Sequence, residues 1–224
     1  MTTNDRSDYV ADLSAREFNR GIADPDVFCG GGSVAALACA GAAASALLVF
    51  RLSHRRKSNA PRRDDIAASI NDLEMLIDSF YAAADDDIAS LQELLAAQRN
   101  AKATGDWTTY YSALERAALA PIHIAEQVGK LLSIITLHLP IATRFTVSDL
   151  GAAATIAEGA ARGALLTAEV NIVLLAENPE SAERSEQLRQ QWDDIHARVV
   201  AHAAEIEQAT REAVIGGQRK GGVS

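Results

Sequence analysis

Four short stretches of this sequence carry residue types that are able to do chemistry. The first is Gly30-Gly31-Gly32-Ser33, in which consecutive glycines let a ligand approach the backbone closely. Ser33 is a good N-cap residue, so the run predicts the start of a helix whose free N–H groups suit an anion. The run lacks the lysine of a phosphate-binding P-loop. A flexible turn into a capped helix explains the same residues without any function.

The second stretch is a basic cluster in an otherwise acidic chain. Six cations lie within thirteen positions: Arg51, Arg55, Arg56, Lys57, Arg62 and Arg63. Guanidinium groups pair well with carboxylates, so the cluster suits a polyanionic small molecule. Cations at the end of a helix also complement its dipole and are then simply solvated. Both interpretations can hold at once.

The remaining stretches lie further along the chain. Ser148-Asp149 precedes an Ala-rich segment, so Asp149 is either a base at a helix junction or an acid that matches the helix dipole, with Ser148 as the cap. Asn171 lies in an apolar stretch, and its amide needs partners in the core or in a ligand. Of Asp85-Asp86-Asp87, at least one acid is expected to point to a helix partner or a site. A solvated face is the more common outcome for a charge run.

All of these residues fall on segments with helical patterns. Five prolines separate stretches rich in Ala, Leu, Glu, Gln and Arg, and no alternating strand pattern is evident. The expected helices are approximately 7–21, 33–53, 61–98, 107–138 with an interruption or kink at Pro121, 148–176 and 181–215.

The sequence therefore predicts one all-α domain, residues 1–215, built as a bundle of about six helices. Residues 216–224 are predicted to be a disordered tail. Small side chains crowd the second and fifth helices and allow helix axes to approach closely. We expect these two helices at the centre of the bundle or in a self-association seam.

Composition narrows the function classes further. With 48% hydrophobic and 23% charged residues, the 224-residue chain is a folded domain, and its net charge of −9 argues against a fold-wide nucleic-acid surface. Cys29 and Cys39 are too few for a disulfide framework, and the histidines show no metal-ligand spacing. The start of the chain has no apolar signal segment, and residues 30–50 are small rather than predominantly apolar. We expect a cytoplasmic protein without a membrane span.

Taken in order, these runs resemble the formiminotransferase-cyclodeaminase C-terminal family, which also contains bacterial methenyltetrahydrofolate cyclohydrolases. The resemblance covers roughly residues 7–215 and rests on residues 28–38, Leu52-Ser53, Arg56-Lys57, Asp87, Ala120-Pro121, and residues 148–153, 163–166 and 170–172. It implies an all-helical homodimer that binds a reduced folate without a metal or redox cofactor. The implied reaction is cyclodeamination of 5-formiminotetrahydrofolate or hydrolysis of 5,10-methenyltetrahydrofolate.

The resemblance also implies roles for single residues. Lys57 and Asp149 match the family's basic and acidic positions and are expected to transfer protons. They are expected to meet beside the backbone of 30–33, which would lie against the pterin. The other substrate-binding residues that we expect are Arg51, Arg55, Arg56, Arg62, Asp87, Ser148 and Asn171. Two alternatives are a repurposed helical dimer that binds another small molecule and a purely structural helical partner protein.

Overall fold

The computed structural model describes residues 10–25 and 30–220, and these residues form six α-helices and no strand. The helices are α1 (Ala15–Ile22), α2 (Gly31–His54), α3 (Arg63–Thr104), α4 (Thr108–His138), α5 (Val147–Ala176) and α6 (Ala182–Lys220). Short 3-10 turns occupy Val10–Asp12, Lys57–Arg62, Leu139–Ile141 and Pro179–Ser181. The prediction of a single all-α domain with six helices is confirmed.

Helices α2 to α5 form an up-and-down four-helix bundle in which each helix runs antiparallel to the next. The start of α2 contacts the middle of α3 through Ser33 and Asp87, whereas the end of α2 contacts an earlier part of α3. The start of α5 lies near the end of α2, because Arg56 Nη1 donates to Ile141 O over 3.4 Å. Short connections between such neighbours are typical of this architecture.

Helix α6 covers only one side of this bundle. It packs against α5, where Trp192 Nε1 donates to the carbonyl of Leu165 over 2.7 Å. It also reaches α4 through an ion pair of 2.6 Å between Arg184 and Glu115. The side formed by α2 and α5 has no covering helix among the described residues.

Alanines of α2 and α5 fill the centre of the bundle, as their small-residue pattern predicts. Ala36, Ala43, Ala157 and Ala161 are fully buried against large side chains of α3 and α4. Cys39 belongs to the same core, and burial raises the pKa of its thiol to about 12. This cysteine is therefore a small core residue that stays neutral.

Several predicted helix ends were wrong. Helix α2 begins at Gly31 with Gly30 as its N-cap, so Ser33 is not a cap and lies inside the first turn. Helix α5 begins at Val147 after Thr146, so Ser148 is not a cap either. Both expectations followed cap preference, but in each case the helix begins one or two residues earlier.

Other helices begin or end at residues that differ from the predicted ones. Helix α3 ends at Thr104 rather than near residue 98, because Gly105 supplies the left-handed C-cap with φ of 79°. Helix α4 continues through Pro121 without a break. Helix α1 begins at Ala15 behind a Ser14–Glu17 capping box, later than expected. Helix α6 extends to Lys220, and residues 221–224 of the expected tail lie outside the described residues.

Three helical segments are long and apolar enough to cross a membrane, judged by length and composition alone: Gly31–His54, Thr108–Ile141 and Val147–Ala176. More than half of the apolar window is buried inside the bundle in the first two, but only 33% in the third. Helix α5 therefore leaves an unusual amount of apolar surface exposed.

A buried polar pair links the far end of α4 to α3. His138 is 4% exposed, its Nε2 lies 2.8 Å from Ser69 Oγ, and its ring packs edge-on against Phe50. Its Nδ1 is buried without a hydrogen-bond partner among the described residues. Burial lowers the pKa of His138; nearby Asp65 opposes this shift, and Arg62 reinforces it.

This pair predicts a loss of stability in mild acid. Because the pKa of His138 is lower in the folded state than its usual value of about 6.5, the unfolded chain binds more protons below that pH. The free energy of unfolding should fall as pH drops below about 6.5, with a slope of at most about 1.4 kcal/mol per pH unit from this one group. Urea unfolding between pH 8 and 5 measures it. A His138→Gln variant should show a shallower fall, and equal slopes in the two proteins would contradict the assignment.

Candidate functional site

The site is a cleft of about 230 Å³ at the start of α2. Its walls come from the glycine run and from α3, α4 and α5, through Gly30, Gly31, Gly32, Asp87, Ser90, Leu91, Ala117, Thr167, Val170 and Asn171. A larger, more open groove of about 690 Å³ lies between α4 and α6. No buried acid and no helix start lies among the residues that line that groove, so we assign the site to the smaller cleft.

Asp87 is the central charged group of the cleft. Its Oδ2 accepts a hydrogen bond of 2.8 Å from the backbone N–H of Ser33, in the first turn of α2. The carboxylate of α3 thus accepts from a free N–H group at the start of α2, which is the role that an N-cap side chain in α2 would otherwise have. Burial raises the pKa of Asp87; the Ser33 N–H opposes this shift, and the neighbouring Asp86 adds to it. A carboxyl group with a raised pKa at a helix start is suited to proton transfer.

The lack of a side chain at Gly31 and Gly32 allows this contact to form. A Cβ built on Gly32 would lie 2.0 Å from Oδ1 and 2.5 Å from Cγ of Asp87, and one on Gly31 would lie 2.8 Å from the Thr167 methyl group. A side chain at position 32 would therefore displace the Asp87 carboxylate, and one at position 31 would displace the Thr167 side chain. The close approach, rather than a need for positive φ, explains these glycines.

Asn171 supplies a hydrogen bond that Pro121 removes from helix α4. Proline has no N–H, so Pro121 cannot donate to the carbonyl of Ala117 one turn earlier in α4. The Asn171 side chain takes that place, with Nδ2 donating to Ala117 O over 2.8 Å. This bond fixes the amide at the wall of the cleft and leaves its Oδ1 as the acceptor for a bound molecule. Of the two interpretations left open by the sequence, the core partner is therefore observed.

The basic cluster lies at the opposite end of α2. Helix α2 is 24 residues long, so about 36 Å separates its two ends. Arg51 is paired at 2.6 Å with Glu74, and Arg56 donates to Ile141 O. Arg55 and Lys57 are exposed and make no ion pair within the described part of the chain. Arg62 ends the short turn that follows Lys57.

Ser148 and Asp149 occupy the first turn of α5, at this same basic end. Ser148 is exposed and Asp149 is half-buried. Gly151, which belongs to the same sequence run, has a packing role, because a Cβ there would lie 2.7 Å from the Thr210 methyl group of α6. Part of this run therefore serves the contact between α5 and α6.

The predicted site residues thus divide into two groups within one chain. Gly30, Gly31, Gly32, Ser33, Asp87 and Asn171 meet at the cleft, whereas Arg51, Arg55, Arg56, Lys57, Arg62, Ser148 and Asp149 lie at the other end of α2. The structure does not bring Lys57 and Asp149 to the glycine run in a single chain. Phe28 and Cys29, which precede the glycines, lie outside the described residues.

Sequence reasoning missed five residues of the cleft wall: Ser90, Leu91, Ala117, Thr167 and Val170. Three of these lie at helical spacing from predicted site residues, since Ser90 and Leu91 stand three and four positions after Asp87, and Thr167 stands four positions before Asn171. That spacing was the available signal. In the described residues, no group of three or more His, Cys, Asp or Glu side chains is placed to hold a metal ion.

Comparison with known proteins gives one family and one fold. The family model described as formiminotransferase-cyclodeaminase matches residues 14–191. A solved formiminotetrahydrofolate cyclodeaminase from Thermotoga maritima superposes with a TM-score of 0.74 at 18% identity, covering 92% of this chain and 98% of that one. At this identity the superposition shows a shared fold. A search of curated protein sequences gives no match.

The contact between Gly32 and Asp87 predicts a steep cost for the smallest side chain. Gly32→Ala should lower the free energy of unfolding by at least about 2 kcal/mol, because the methyl group displaces a buried hydrogen-bonded carboxylate. Gly129→Ala is the matched control: it is also inside a helix, but a Cβ there meets nothing within 4 Å. That control should raise stability by up to about 1 kcal/mol. Urea unfolding of both variants measures the difference, and equal effects would refute the proposed steric conflict.

The link between Pro121 and Asn171 predicts coupling between the two positions. Asn171→Ala should cost about 1–3 kcal/mol, because it leaves the Ala117 carbonyl without its donor. In a Pro121→Ala background, residue 121 regains an N–H that reaches the same carbonyl, so the same change should cost less. A double-mutant cycle in urea measures the coupling. Additive free energies would show that the carbonyl is satisfied in another way.

Proposed function

The chain belongs to the formiminotransferase-cyclodeaminase family, and we propose that it converts a one-carbon derivative of tetrahydrofolate in the cleft at the start of α2. The reaction would be that of a 5-formiminotetrahydrofolate cyclodeaminase or a 5,10-methenyltetrahydrofolate cyclohydrolase. The observation that carries this proposal is Asp87, a buried carboxyl group with a raised pKa held against the first turn of α2 beside the Asn171 amide. The solved Thermotoga maritima protein with this fold is a formiminotetrahydrofolate cyclodeaminase, which supports the first reaction.

Both reactions pass through a tetrahedral carbon bonded to N5 and N10 of the folate. In cyclodeamination, N10 attacks the formimino carbon and loses its proton, and the amino group leaves as ammonia after gaining protons. In cyclohydrolysis, water adds to the methenyl carbon and loses one proton. The resulting hydroxyl group loses its remaining proton as the carbonyl of the formyl group forms, and N5 takes a proton as its bond to that carbon breaks. Neither reaction changes an oxidation state, and the catalytic help that these steps need is proton transfer. We therefore propose no metal or redox cofactor.

Asp87 is our candidate for the group that moves these protons. A carboxyl group whose pKa is raised by burial keeps its proton more often than a surface acid and can donate it to a departing nitrogen. Once ionised, it is held by the Ser33 N–H and the positive end of the α2 dipole. The same carboxyl can therefore act as acid in one step and as base in the next.

The other walls of the cleft suit the ring rather than the reaction centre. Asn171 Oδ1 can accept from an N–H on the edge of a pterin, and the exposed backbone of Gly31 permits close stacking. Val170 and Leu91 offer apolar surface at the walls of the cleft. Lys57 and Asp149, which the resemblance implies as proton-transfer residues, reach this cleft only if another copy of the chain supplies them.

Substitution of Asp87 tests this proposal. Asp87→Asn keeps the shape of the side chain but cannot exchange a proton, so kcat should fall about 100-fold or more. Asp78→Asn is the matched control, because Asp78 is an exposed acid on the same helix and does not contribute to the pKa shift of Asp87. The assay follows the near-ultraviolet absorbance of methenyltetrahydrofolate, as it disappears by hydrolysis or appears from the formimino compound.

Three outcomes would contradict parts of the proposal. Full activity in Asp87→Asn would remove Asp87 from proton transfer. An equal loss in Asp78→Asn would show a general charge effect instead of a role for one residue. Wild-type protein that converts neither folate would favour the repurposed helical dimer.

A further inference from the structure

A groove of about 690 Å³ lies between α4 and α6, on the side of the bundle that α6 covers. It holds about three times the volume of the cleft, which is about 230 Å³, and falls within the size range of small-molecule sites in proteins. On α4 its wall extends from His123 to Ser133, and on α6 from Ile195 to His202. None of these residues takes part in the proposed function. We call this space the α4/α6 groove.

Three side-chain hydrogen bonds between α4 and α6 fix the register of the α4/α6 groove. The pairs are Glu115 with Arg184, Glu126 with Gln191, and Thr136 with His202. Their partners stand 69, 65 and 66 positions apart in sequence, so the two helices run parallel with a nearly constant offset. The separation of Lys130 from Arg198 falls within the same range. These two side chains therefore lie at nearly the same height on opposite walls of the groove.

Basic side chains line the α4/α6 groove on both walls. Lys130 and Arg198 are exposed, and neither forms an ion pair within the part of the chain that the structure describes. Arg198 Nε donates to the carbonyl of Asp194 over 3.3 Å, which leaves the two terminal nitrogens for another acceptor. The imidazole rings of His123 and His202 lie towards the two ends of the groove. In a chain with a net charge of −9, a groove with two unpaired cations concentrates anions locally.

The remaining polar groups of the α4/α6 groove leave room for an anion. Glu126 is the one acid among the described residues that line it, and its Oε1 accepts from Gln191 Nε2 over 2.8 Å. The amide of Gln127 is oriented by Ser79, whose Oγ donates to Oε1 over 2.6 Å, so that Nε2 is left as a donor. Between these side chains and Lys130, the wall is open at Gly129, where an added Cβ would meet nothing within 4 Å.

We propose that the α4/α6 groove binds a small anion that carries at least two phosphate or carboxylate groups. Lys130 and Arg198 contact these groups from opposite walls, and the guanidinium of Arg198 can form two parallel hydrogen bonds with one of them. The Gln127 amide donates between the two walls. Because a single ion pair at a protein surface contributes little in water, both cations must act on one molecule, and this requires an anion with two charged groups.

This anion site is separate from the cleft and does not depend on the proposed function. Ala117 lies at the cleft, and Lys130 follows it by about 20 Å along α4 at 1.5 Å per residue. The site is also separate from the basic cluster that follows α2, which contributes no residue to the α4/α6 groove. The two sets of cations can therefore be removed independently by mutation.

Titration calorimetry of the full chain with pyrophosphate, and separately with citrate, tests the site at low ionic strength. At least one of the two anions should bind with one molecule per chain and a Kd in the millimolar range or below, and added salt should weaken binding. The tighter of the two identifies phosphate or carboxylate as the preferred group. If neither anion binds to the wild-type chain at millimolar concentration, the proposal is overturned.

Two variants locate the bound anion. Lys130→Ala with Arg198→Ala should weaken binding at least about tenfold, whereas Arg55→Ala with Lys57→Ala, which removes the same two residue types from the basic cluster, should leave it unchanged. An equal loss in both double variants, or a loss in the second alone, would overturn the proposal.

A third variant separates the shape of the groove from its charge. Gly129→Leu fills the open wall and keeps every charged group, so it should also weaken binding about tenfold, with circular dichroism confirming that the helices are intact. Unchanged affinity in this variant would show that the anion binds outside the α4/α6 groove.

Discussion

The hydrogen bond from the Ser33 N–H to the Asp87 carboxylate is the contact on which the site depends. It stabilises the start of an alanine-rich helix that has no side-chain cap of its own, and it holds a charged group inside the bundle. The bond forms because residue 32 has no side chain, so α3 can bring its acid against the backbone of α2. Burial raises the pKa of Asp87 although the Ser33 N–H opposes this shift, and this links packing directly to chemistry.

The same cleft shows how a local defect in one helix can be used by another. Pro121 removes a donor from α4 and exposes a carbonyl that no residue of that helix can satisfy. Asn171 of α5 supplies the donor, and in doing so its amide is fixed at the wall of the cleft. Two polar groups, one from α3 and one from α5, are thus positioned by backbone groups of α2 and α4. Rigid helices therefore hold all parts of the site.

Polar groups are fixed in the cleft, but the side of the bundle formed by α2 and α5 is apolar and has no covering helix among the described residues. Helix α6 shields the side formed by α4 and α5, whereas large apolar residues of α2 and α5, such as Leu48, Leu166 and Val170, remain exposed on the other side.

The sequence by itself determined the fold class, the family and the six helices, because these follow from helix propensity, apolar spacing and glycine or proline punctuation, all of which are local. The resemblance pointed to Asp87 among three adjacent acids, and Asn171 stood out because an amide in an apolar run needs partners. Prediction from the sequence failed for the caps at Ser33 and Ser148, where preference for a residue type does not fix the first helical residue. Only the tertiary structure decided that Asp87 meets the glycines while Lys57 and Asp149 lie a helix length away, because the direction and register of packed helices arise from contacts between residues distant in the chain.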